Sequence, residues 1–358
     1  MSVTEILARR IAIQGPITVS DYMAEALGHP RFGYYTTRDP FGAAGDFITA
    51  PEISQMFGEL IGLWCADLWL RMGRPAPLRL IELGPGRGTL MADMLRAFRS
   101  VADLSRSVRI HLVETSPVLR STQARTLAGF EPAWHDRLSE VPDGPSIIVA
   151  NELFDALPIR QFQMTPDGWR ERLVDLAEEE GRFRFVLSRH PDPIVALIPR
   201  ELDRAPVGSV AELCPLGLSL AAEIGRRAAA GGAGLIVDYG YDRPGTGSTL
   251  QAVLRHAFAD PLVRPGEADL TAHVDFRALG DSGRAAGALV AGPVGQGRFL
   301  RALGIAERAA TLKKRATAAQ AADIDAALAR LTEPDQMGTL FKAMAFVHPG
   351  LGEPAGFA

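Results

Sequence analysis

The segment that decides the fold is Ile81-Glu82-Leu83-Gly84-Pro85-Gly86-Arg87-Gly88-Thr89. It contains the end of the apolar run at 78–84, which predicts a buried strand, and the start of the stretch 88–100, which predicts a helix. The three glycines allow positive φ angles and a close approach of the backbone to a ligand. The helix N-terminus offers further backbone N–H groups, so the turn is typical of a binding site for a polar ligand.

The details of this turn discriminate between two ligands. Such a turn binds either the pyrophosphate of a dinucleotide or the amino-acid end of S-adenosylmethionine. The glycines are spaced G-x-G-x-G, whereas the dinucleotide fingerprint is G-x-G-x-x-G. Glu82 precedes the first glycine by two residues, where a carboxylate can face an ammonium group but would repel a pyrophosphate. The sequence therefore favours S-adenosylmethionine, and the acidic pair Glu82 and Glu114 argues against a purely structural turn.

Polar residues at the ends of later strands fit the same ligand. Glu114 ends the second strand, where an acid can accept hydrogen bonds from both ribose hydroxyls, although dinucleotide enzymes share this feature. Asp136 follows the third strand and can accept from the adenine amine; a surface turn would explain it nearly as well. Asn151 closes the fourth strand, over the centre of the expected crevice. The predicted cofactor-binding residues are Glu82, Gly84, Gly86, Gly88, Glu114, Asp136 and Asn151.

Strands and helices alternate around the glycine turn, which indicates an α/β fold with a doubly wound parallel sheet. Further strands are predicted at 107–116, near 131–134, at 145–153 and at 234–240, and helices at 54–72, 117–128 and 215–230. Residues 158–188 carry strand patterns broken by turns, which predicts an antiparallel insertion. We expect a closing hairpin of 288–294 and 339–347. The Ala-rich stretch 305–333 lacks Gly and Pro and predicts one long helix.

Composition excludes several classes of protein. Apolar residues make up 47% of the 358 residues, which is too many for a disordered chain. The net charge of −4 argues against a nucleic-acid partner, which needs a basic surface. No run of about 18 apolar residues is present, so no membrane insertion is expected. The two cysteines and the absence of a signal-peptide pattern at the start lead us to expect a cytoplasmic protein.

Several longer strings resemble the MidA family, the bacterial relatives of a mitochondrial protein-arginine methyltransferase that assists assembly of respiratory complex I. These strings are GDFITAPEISQMFGE (45–59), IELGPGRG (81–88), NELFDALPI (151–159), DLTAHVDF (269–276) and MGTLFKAMA (337–345). The resemblance covers nearly the whole chain. It implies a Rossmann-like seven-stranded methyltransferase sheet, S-adenosylmethionine as methyl donor, and an arginine of a large NADH-dehydrogenase subunit as acceptor. The mitochondrial relatives carry a targeting leader, whereas this sequence starts at the domain itself, so we expect a bacterial cytoplasmic location.

The resemblance also suggests an organisation into four segments. Residues 1–75 would form an N-terminal helical cap with a lid loop, and 76–157 the first half of the methyltransferase core. Residues 158–215 would form the antiparallel insertion, and 216–358 the second half of the core with a further insertion at 241–286. The insertions are where we expect the acceptor to be selected.

An arginine acceptor makes specific demands on the site. The guanidinium group stays protonated at neutral pH, so its nitrogen needs orientation and charge compensation, which carboxylates provide. Glu152 and Asp155, beyond the fourth strand, are the leading candidates, although Asp155 can equally brace the turn before Pro158. His273 and Asp275 form a second candidate pair for accepting a proton. Their structural alternatives are a loop histidine and a cap of the following helix.

The loop that starts at Gly45 is a candidate lid over the cofactor. Within and after it, Glu52 and Glu59 are candidates for contacts with either ligand. The alternative for Glu52 is a capping box with Thr49, since T-x-x-E marks the start of many helices.

Other functions stay open at this point. The histidines show no ligand spacing such as H-E-x-x-H, so no metal is expected. A chaperone that keeps the methyltransferase fold for assembly without turnover and a small-molecule methyltransferase are both compatible with the sequence. A dehydrogenase is a more remote alternative. The oligomeric state is undetermined.

Overall fold

The structure is a computed structural model that describes residues 2–37, 49–179, 181–254 and 257–358. Its helices are α1 (Val3–Gln14), α2 (Val19–Gly28), α3 (Tyr34–Thr37), α4 (Ala50–Ile53), α5 (Gln55–Arg71), α6 (Thr89–Phe98), α7 (Leu104–Ser107), α8 (Pro117–Thr126), α9 (Pro215–Ala229), α10 (Phe276–Ala285), α11 (Gln296–Ala302), α12 (Ile305–Lys313), α13 (Ala318–Thr332) and α14 (Met337–Leu340). Short 3-10 turns lie at Leu138–Glu140, Phe154–Ala156, Pro193–Leu197, Arg200–Leu202 and Pro349–Leu351.

The strands are β1 (Ile17–Thr18), β2 (Leu78–Leu83), β3 (Val108–Val113), β4 (Ala133–His135), β5 (Ser146–Asn151), β6 (Arg160–Thr165), β7 (Gly168–Leu176), β8 (Phe183–Leu187), β9 (Val210–Leu213), β10 (Ala233–Tyr241), β11 (Gln251–Leu254), β12 (Ala257–Ala259), β13 (Asp269–Thr271), β14 (Val274–Asp275), β15 (Leu289–Gly295) and β16 (Phe341–Val347). None of the described helices is long and apolar enough to cross a membrane.

The chain forms two units, and the larger one contains residues 49–154, Ser219–Gly240 and Phe276–Ala358. Seven strands of this unit lie in the order β15-β16-β10-β5-β2-β3-β4. The five strands from β10 to β4 run parallel, and β16 is antiparallel to both β10 and β15. The predicted Rossmann-like α/β sheet of seven strands and its closing hairpin are therefore confirmed.

Helices cover this sheet, which explains why its strands are apolar along their whole length. In β2 every residue except Arg79 is buried, and in β5 only Asn151 is not. Helices α5 and α6 pack closely because Gly62 lacks a side chain: a Cβ there would lie 2.9 Å from the Cβ of Ala97. The core of the unit includes the fully buried rings of Phe57, Phe98 and Phe299.

The smaller unit contains residues 2–37, Asp155–Leu218 and Tyr241–Asp275. Strand β6 is antiparallel to β7 and β9, and β7 also pairs with β8 and β1, so the predicted antiparallel insertion is confirmed. A second sheet has the order β12-β11-β13. Helices α1 and α2 contribute Leu7, Tyr22 and Met23 to this unit's own core.

The prediction of one long helix over 305–333 is wrong. The structure has two helices, α12 and α13, and the second begins with a capping box. The Thr317 side chain accepts from the backbone N–H of Gln320 at 3.3 Å, and the Gln320 side chain accepts from the backbone N–H of Thr317 at 2.9 Å. This T-x-x-Q pattern starts a new helix without needing glycine or proline.

Candidate active site

The glycine turn joins β2 to α6 in a left-handed backbone conformation. The φ angles are +62° at Gly84, +52° at Gly86 and +82° at Gly88, which is the N-cap of α6. A Cβ on Gly84 would lie 2.8 Å from Cδ1 of Leu153, in the turn after β5. Glycine is favoured here mainly because the backbone is left-handed, and any side chain at this position would also displace Leu153.

Two buried acceptor oxygens lie at the ends of the adjacent strands β2 and β5. Glu82 is 3% exposed, and its carboxylate accepts from the backbone N–H of Met91 in the first turn of α6. Burial raises the pKa of Glu82 well above its usual range, although the Met91 hydrogen bond opposes this shift. Among the described residues, neither Oε2 of Glu82 nor Oδ1 of Asn151 has a hydrogen-bond partner. Because buried acceptors are almost always paired, both oxygens suit a ligand that donates hydrogen bonds.

Glu114 follows β3, which is the strand next to β2. Its Oε1 accepts from the backbone N–H of Ser116 at 2.7 Å, and its Oε2 accepts from Nε2 of Gln123 at 3.2 Å. Burial raises the pKa of Glu114, and these hydrogen bonds lower it. The carboxylate is therefore held in one orientation at the carboxyl end of the sheet.

Asp136 follows β4, as the sequence predicted, but its carboxylate has a partner from the protein. Oδ1 accepts from Nη2 of Arg120 at 2.6 Å, and Nε of the same guanidinium donates to the carbonyl of Glu114 at 2.7 Å. Arg120 thus links the ends of β3 and β4. The predicted hydrogen bond from adenine to Asp136 stays a prediction.

Glu152 has a backbone conformation that residues other than glycine rarely adopt, with φ at +49°. Its Oε1 accepts from the backbone N–H of Ala50 at 2.8 Å and from Nδ2 of Asn151 at 3.1 Å. Its own N–H donates to the carbonyl of Val237 on β10. Such strain persists only where the surrounding structure enforces it, and it is typical of functional sites.

Glu52 contacts the helix that follows the glycine turn. Its Oε1 accepts from the Thr89 hydroxyl at 2.6 Å, and its Oε2 lies 3.8 Å from Nη1 of Arg87. Thr49 is the N-cap of α4 but makes no side-chain capping bond, so the alternative of a capping box is not realised. The front of the candidate lid, at 45–48, lies outside the described residues.

Glu59 lies in an ion-pair cluster instead of facing a ligand. It is 7% exposed, and its carboxylate accepts from Arg308 at 2.8 and 3.1 Å and from Arg96 at 3.2 Å. These three residues belong to α5, α12 and α6. Glu59 therefore holds three helices together, and its predicted contact with a ligand has no support in this geometry.

Asp155, His273 and Asp275 belong to the smaller unit. The carbonyl of Asp155, which is a buried residue, accepts from the backbone N–H of Ala272 at 2.9 Å. The backbone N–H of His273 donates to the Thr249 hydroxyl at 2.9 Å. Asp275 adds to the effect of burial in raising the pKa of Tyr241. The structure thus brings Glu82, Glu114, Asn151 and Glu152 into one unit and these three residues into the other.

Asp238 was missed by the sequence analysis. It lies on β10, is fully buried, and its Oδ2 accepts from the backbone N–H groups of Leu153 at 3.2 Å and Phe154 at 2.9 Å. It therefore fixes the turn that carries Glu152. The signal was a single carboxylate in the otherwise apolar strand GLIVDYG at 234–240, and a charge in such a strand needs partners.

The sequence analysis also missed Gln123. It is a fully buried amide on α8, and besides Glu114 it contacts the glycine turn through the carbonyl of Gly86 at 2.8 Å. Its sequence signal was a polar residue four positions after Leu119, on the buried face of a helix.

The larger unit offers what S-adenosylmethionine requires. The glycine turn lets a ligand approach the backbone, and the buried oxygens of Glu82 and Asn151 match an ammonium donor. A carboxylate such as that of Glu114, at the end of the next strand, can accept hydrogen bonds from hydroxyl groups.

Comparison with known proteins agrees with this chemistry. A family model for S-adenosyl-L-methionine-dependent methyltransferases matches residues 60–294. The chain is 40% identical to the mitochondrial protein arginine methyltransferase NDUFAF7 homolog of Drosophila melanogaster, over 98% of this chain and 85% of that protein. It is also 40% identical to human NDUFAF7, over 84% of this chain and 72% of the relative.

A solved structure of a similar protein contains a bound ligand. The protein is a COG1565 superfamily member from Burkholderia thailandensis and is bound to S-adenosyl-homocysteine. It superposes with a TM-score of 0.84 at 29% identity, over 99% of this chain and 93% of that one. Fold, glycine turn and relatives agree, and the chain belongs to the MidA family of S-adenosylmethionine-dependent methyltransferases.

Proposed function

We propose that this methyltransferase modifies an arginine side chain of another protein, and that its target is a large subunit of NADH dehydrogenase. The relatives named as protein arginine methyltransferases support the acceptor type, since they share 40% identity over most of the chain. The target subunit rests on the resemblance of the sequence motifs to the MidA family. A bacterial cytoplasmic location suits the two free cysteines, Cys65 and Cys214.

The observation that carries the proposal is the placement of Glu152. A carboxylate at the end of the central strand β5 is held in a strained backbone by the Ala50 N–H and the Asn151 amide. The turn that it begins packs against Gly84 of the glycine turn through Leu153. Charge and rigidity are therefore combined next to the segment that we assign to the methyl donor.

The chemistry needs little more than alignment. S-adenosylmethionine, when bound, supplies a methyl group on a sulfonium that is already activated. Glu152 would accept a charge-assisted hydrogen bond from the guanidinium and fix the direction of the reacting nitrogen. That nitrogen gains the methyl group and loses one proton, for which a carboxylate is the first acceptor. Asp155, His273 and Asp275 remain candidates for binding the acceptor or taking the proton.

The substitution Glu152→Gln tests this role directly. The amide keeps an oxygen that can accept from Ala50 and Asn151, so it preserves the local structure while removing the negative charge. We expect methyl transfer to fall by about 100-fold, with the affinity for S-adenosylhomocysteine changed less than about threefold. The assay follows labelled methyl groups onto the purified subunit, with mass spectrometry to locate the modified arginine. Glu307→Gln, on the exposed face of α12, is the matched control.

The outcomes separate this proposal from its alternatives. Full turnover by Glu152→Gln would remove Glu152 from the mechanism. Tight binding of the subunit by the wild-type protein without label transfer would support an assembly chaperone. Label transfer to small molecules but to no protein would support a small-molecule methyltransferase.

A further inference from the structure

The side chain of Gln123 joins three parts of the larger unit. Its Nε2 donates to the carbonyl of Gly86 at 2.8 Å and to Oε2 of Glu114 at 3.2 Å. Its Oε1 accepts from Nε1 of Trp134 at 2.9 Å. The side chain is 0% exposed, so these contacts take place without solvent. One amide thus connects the glycine turn, the end of β3 and the start of β4.

The orientation of this amide is fixed by its partners. The Nε2 group has two protons, and each faces an acceptor, while Oε1 faces an indole N–H, which can only donate. A flipped amide would turn its oxygen toward two acceptors and its NH₂ group toward a donor. The backbone of α8 also packs against the glycine turn. A Cβ on Gly88 would lie 3.5 Å from the Cα of Gln123.

Gln123 differs from the other partners of Glu114. The carboxylate also accepts from the backbone N–H groups of Thr115 and Ser116, which are tied to the path of the chain. Gln123 contributes a side-chain donor that simultaneously holds Gly86. The backbone N–H of Gly84 also donates to the carbonyl of Val113 at 3.0 Å, but Gln123 is the side chain that links the Glu114 carboxylate itself to the glycine turn.

We infer that Gln123 is a positioning residue of the cofactor site, which sets the distance and orientation of Glu114 relative to the glycine turn. The inference rests on the assignment of that turn and of Glu114 to S-adenosylmethionine, and it does not depend on the acceptor. Its experimental test therefore uses ligand binding and leaves the proposed arginine methylation aside.

The first experiment measures the affinity for S-adenosylhomocysteine by calorimetry in Gln123→Leu. This variant keeps the volume of the side chain but removes all three hydrogen bonds. We expect the affinity to fall by about tenfold to 100-fold, because a charged acceptor loses its donor. Gln296→Leu is the matched control, since Gln296 is also 0% exposed and its Nε2 donates to the carbonyl of Leu331. This control should lower the melting temperature and leave the affinity unchanged.

The second experiment compares the pH dependence of binding in Gln123→Glu and in the wild type. A carboxylate at position 123 would face both Glu114 and the Gly86 carbonyl, so the two acids would share a proton as the pH falls. Relative to the wild type at each pH, we expect weak binding by the variant near pH 8 that recovers toward about pH 6. A packing role alone would not produce this recovery.

Trp134→Phe provides a variant that retains most of the packing. It removes only the donor to Oε1, and we expect a smaller loss of affinity, about threefold. Wild-type affinity in all three variants, with melting temperatures lowered as in Gln296→Leu, would overturn the inference and leave Gln123 as a packing residue.

Discussion

Three of the buried carboxylates of the larger unit are each compensated in a different way. Glu82 accepts from the backbone at the N-terminus of α6, which favours negative charge. Asp93 pairs with the guanidinium of Arg96. Asp238 accepts from the backbone of the turn after β5. Their partners decide what each one does: Glu82 suits a cationic ligand, Asp93 joins two turns of one helix, and Asp238 shapes the turn of Glu152.

Asp238→Asn is a conservative substitution, but we expect it to impair methyl transfer. An amide offers one acceptor oxygen and places an NH₂ group where the other oxygen accepted, so at least one of the hydrogen bonds from Leu153, Phe154 or Tyr239 is lost. We expect methyl transfer to fall by about tenfold or more, together with a lower melting temperature.

The control for this variant is Asp281→Asn, whose parent carboxylate is exposed and pairs with Arg284. It should change neither the rate of methyl transfer nor the melting temperature measurably. Unchanged methyl transfer in Asp238→Asn would show that the turn holds its conformation without this carboxylate.

Asp93 should impose a pH dependence on stability. Burial is the main cause that raises its pKa from 3.8 to about 6, with Arg96 acting in the opposite direction. The folded state then binds the proton more tightly than the unfolded chain. Its contribution to the free energy of unfolding is therefore present below about pH 4 and is lost as the pH rises toward 6.

The size of this effect is about 3 kcal/mol at most, since one pKa unit corresponds to about 1.4 kcal/mol. We expect Asp93→Asn to remove this slope, and urea unfolding at several pH values between 4 and 7 measures the difference from the wild type. If the free energies of unfolding of the two proteins depended on pH in the same way, the raised pKa of Asp93 would be contradicted.

At the scale of elements, the glycine turn combines backbone conformation with close packing. Gly84→Ala would add both left-handed strain and a clash with Leu153 at 2.8 Å. Gly73 offers a matched control, because its φ is +82° and a Cβ there would meet nothing within 4 Å. Both variants should lose about 1–2 kcal/mol from the left-handed conformation.

Only Gly84→Ala should weaken binding of S-adenosylhomocysteine, by about tenfold or more, as measured by calorimetry. Equal affinities in Gly73→Ala and Gly84→Ala would mean that the packing of Leu153 on the turn is irrelevant to the cofactor.

The elements around this turn could be predicted because local sequence determines them. Helix α5 was expected at 54–72 and lies at Gln55–Arg71, and the strand expected at 145–153 lies at Ser146–Asn151. Apolar periodicity and flanking glycine or proline marked these boundaries. The break between α12 and α13 was missed because the capping pattern that begins at Thr317 lies in an Ala-rich stretch without either residue.

The site was only partly predictable, because some of its contacts join distant parts of the chain. Glu82 and the glycines were found from adjacent residues. Glu59 looked available for a ligand in the sequence, but its partner Arg308 lies 249 positions away. Gln123 and Asp238 are ordinary residues of a helix and a strand until folding brings Gly86 and Leu153 beside them.

At the scale of the whole molecule, the sequence of the larger unit is interrupted twice. Strands β5 and β10 are parallel neighbours, yet the segment Asp155–Leu218 between them belongs to the smaller unit. Strand β16 comes last in the sequence but lies between β10 and β15. Pairings between such distant segments fold slowly, because the ends of long loops must meet first.

A chain that ends at Leu340 should therefore lose more than its last strand. Without β16, β15 has no neighbour in this sheet order and β10 loses the pairing that runs from Ala233 to Tyr239. We expect the larger unit to be unfolded, with no binding of S-adenosylhomocysteine and rapid limited proteolysis of residues 49–154. Native-like binding by the shortened chain would contradict this view of the sheet.

The position of β16 also has a consequence for synthesis. Translation proceeds from the N-terminus, so β16 leaves the ribosome after the other six strands of this sheet. Until it emerges, the backbone edge of β10 that β16 will cover stays open to neighbouring nascent chains, and open edges promote aggregation. Helper proteins that shield this edge would have to act before β16 emerges. Emergence of β16 is thus the event that allows the methyltransferase sheet to close.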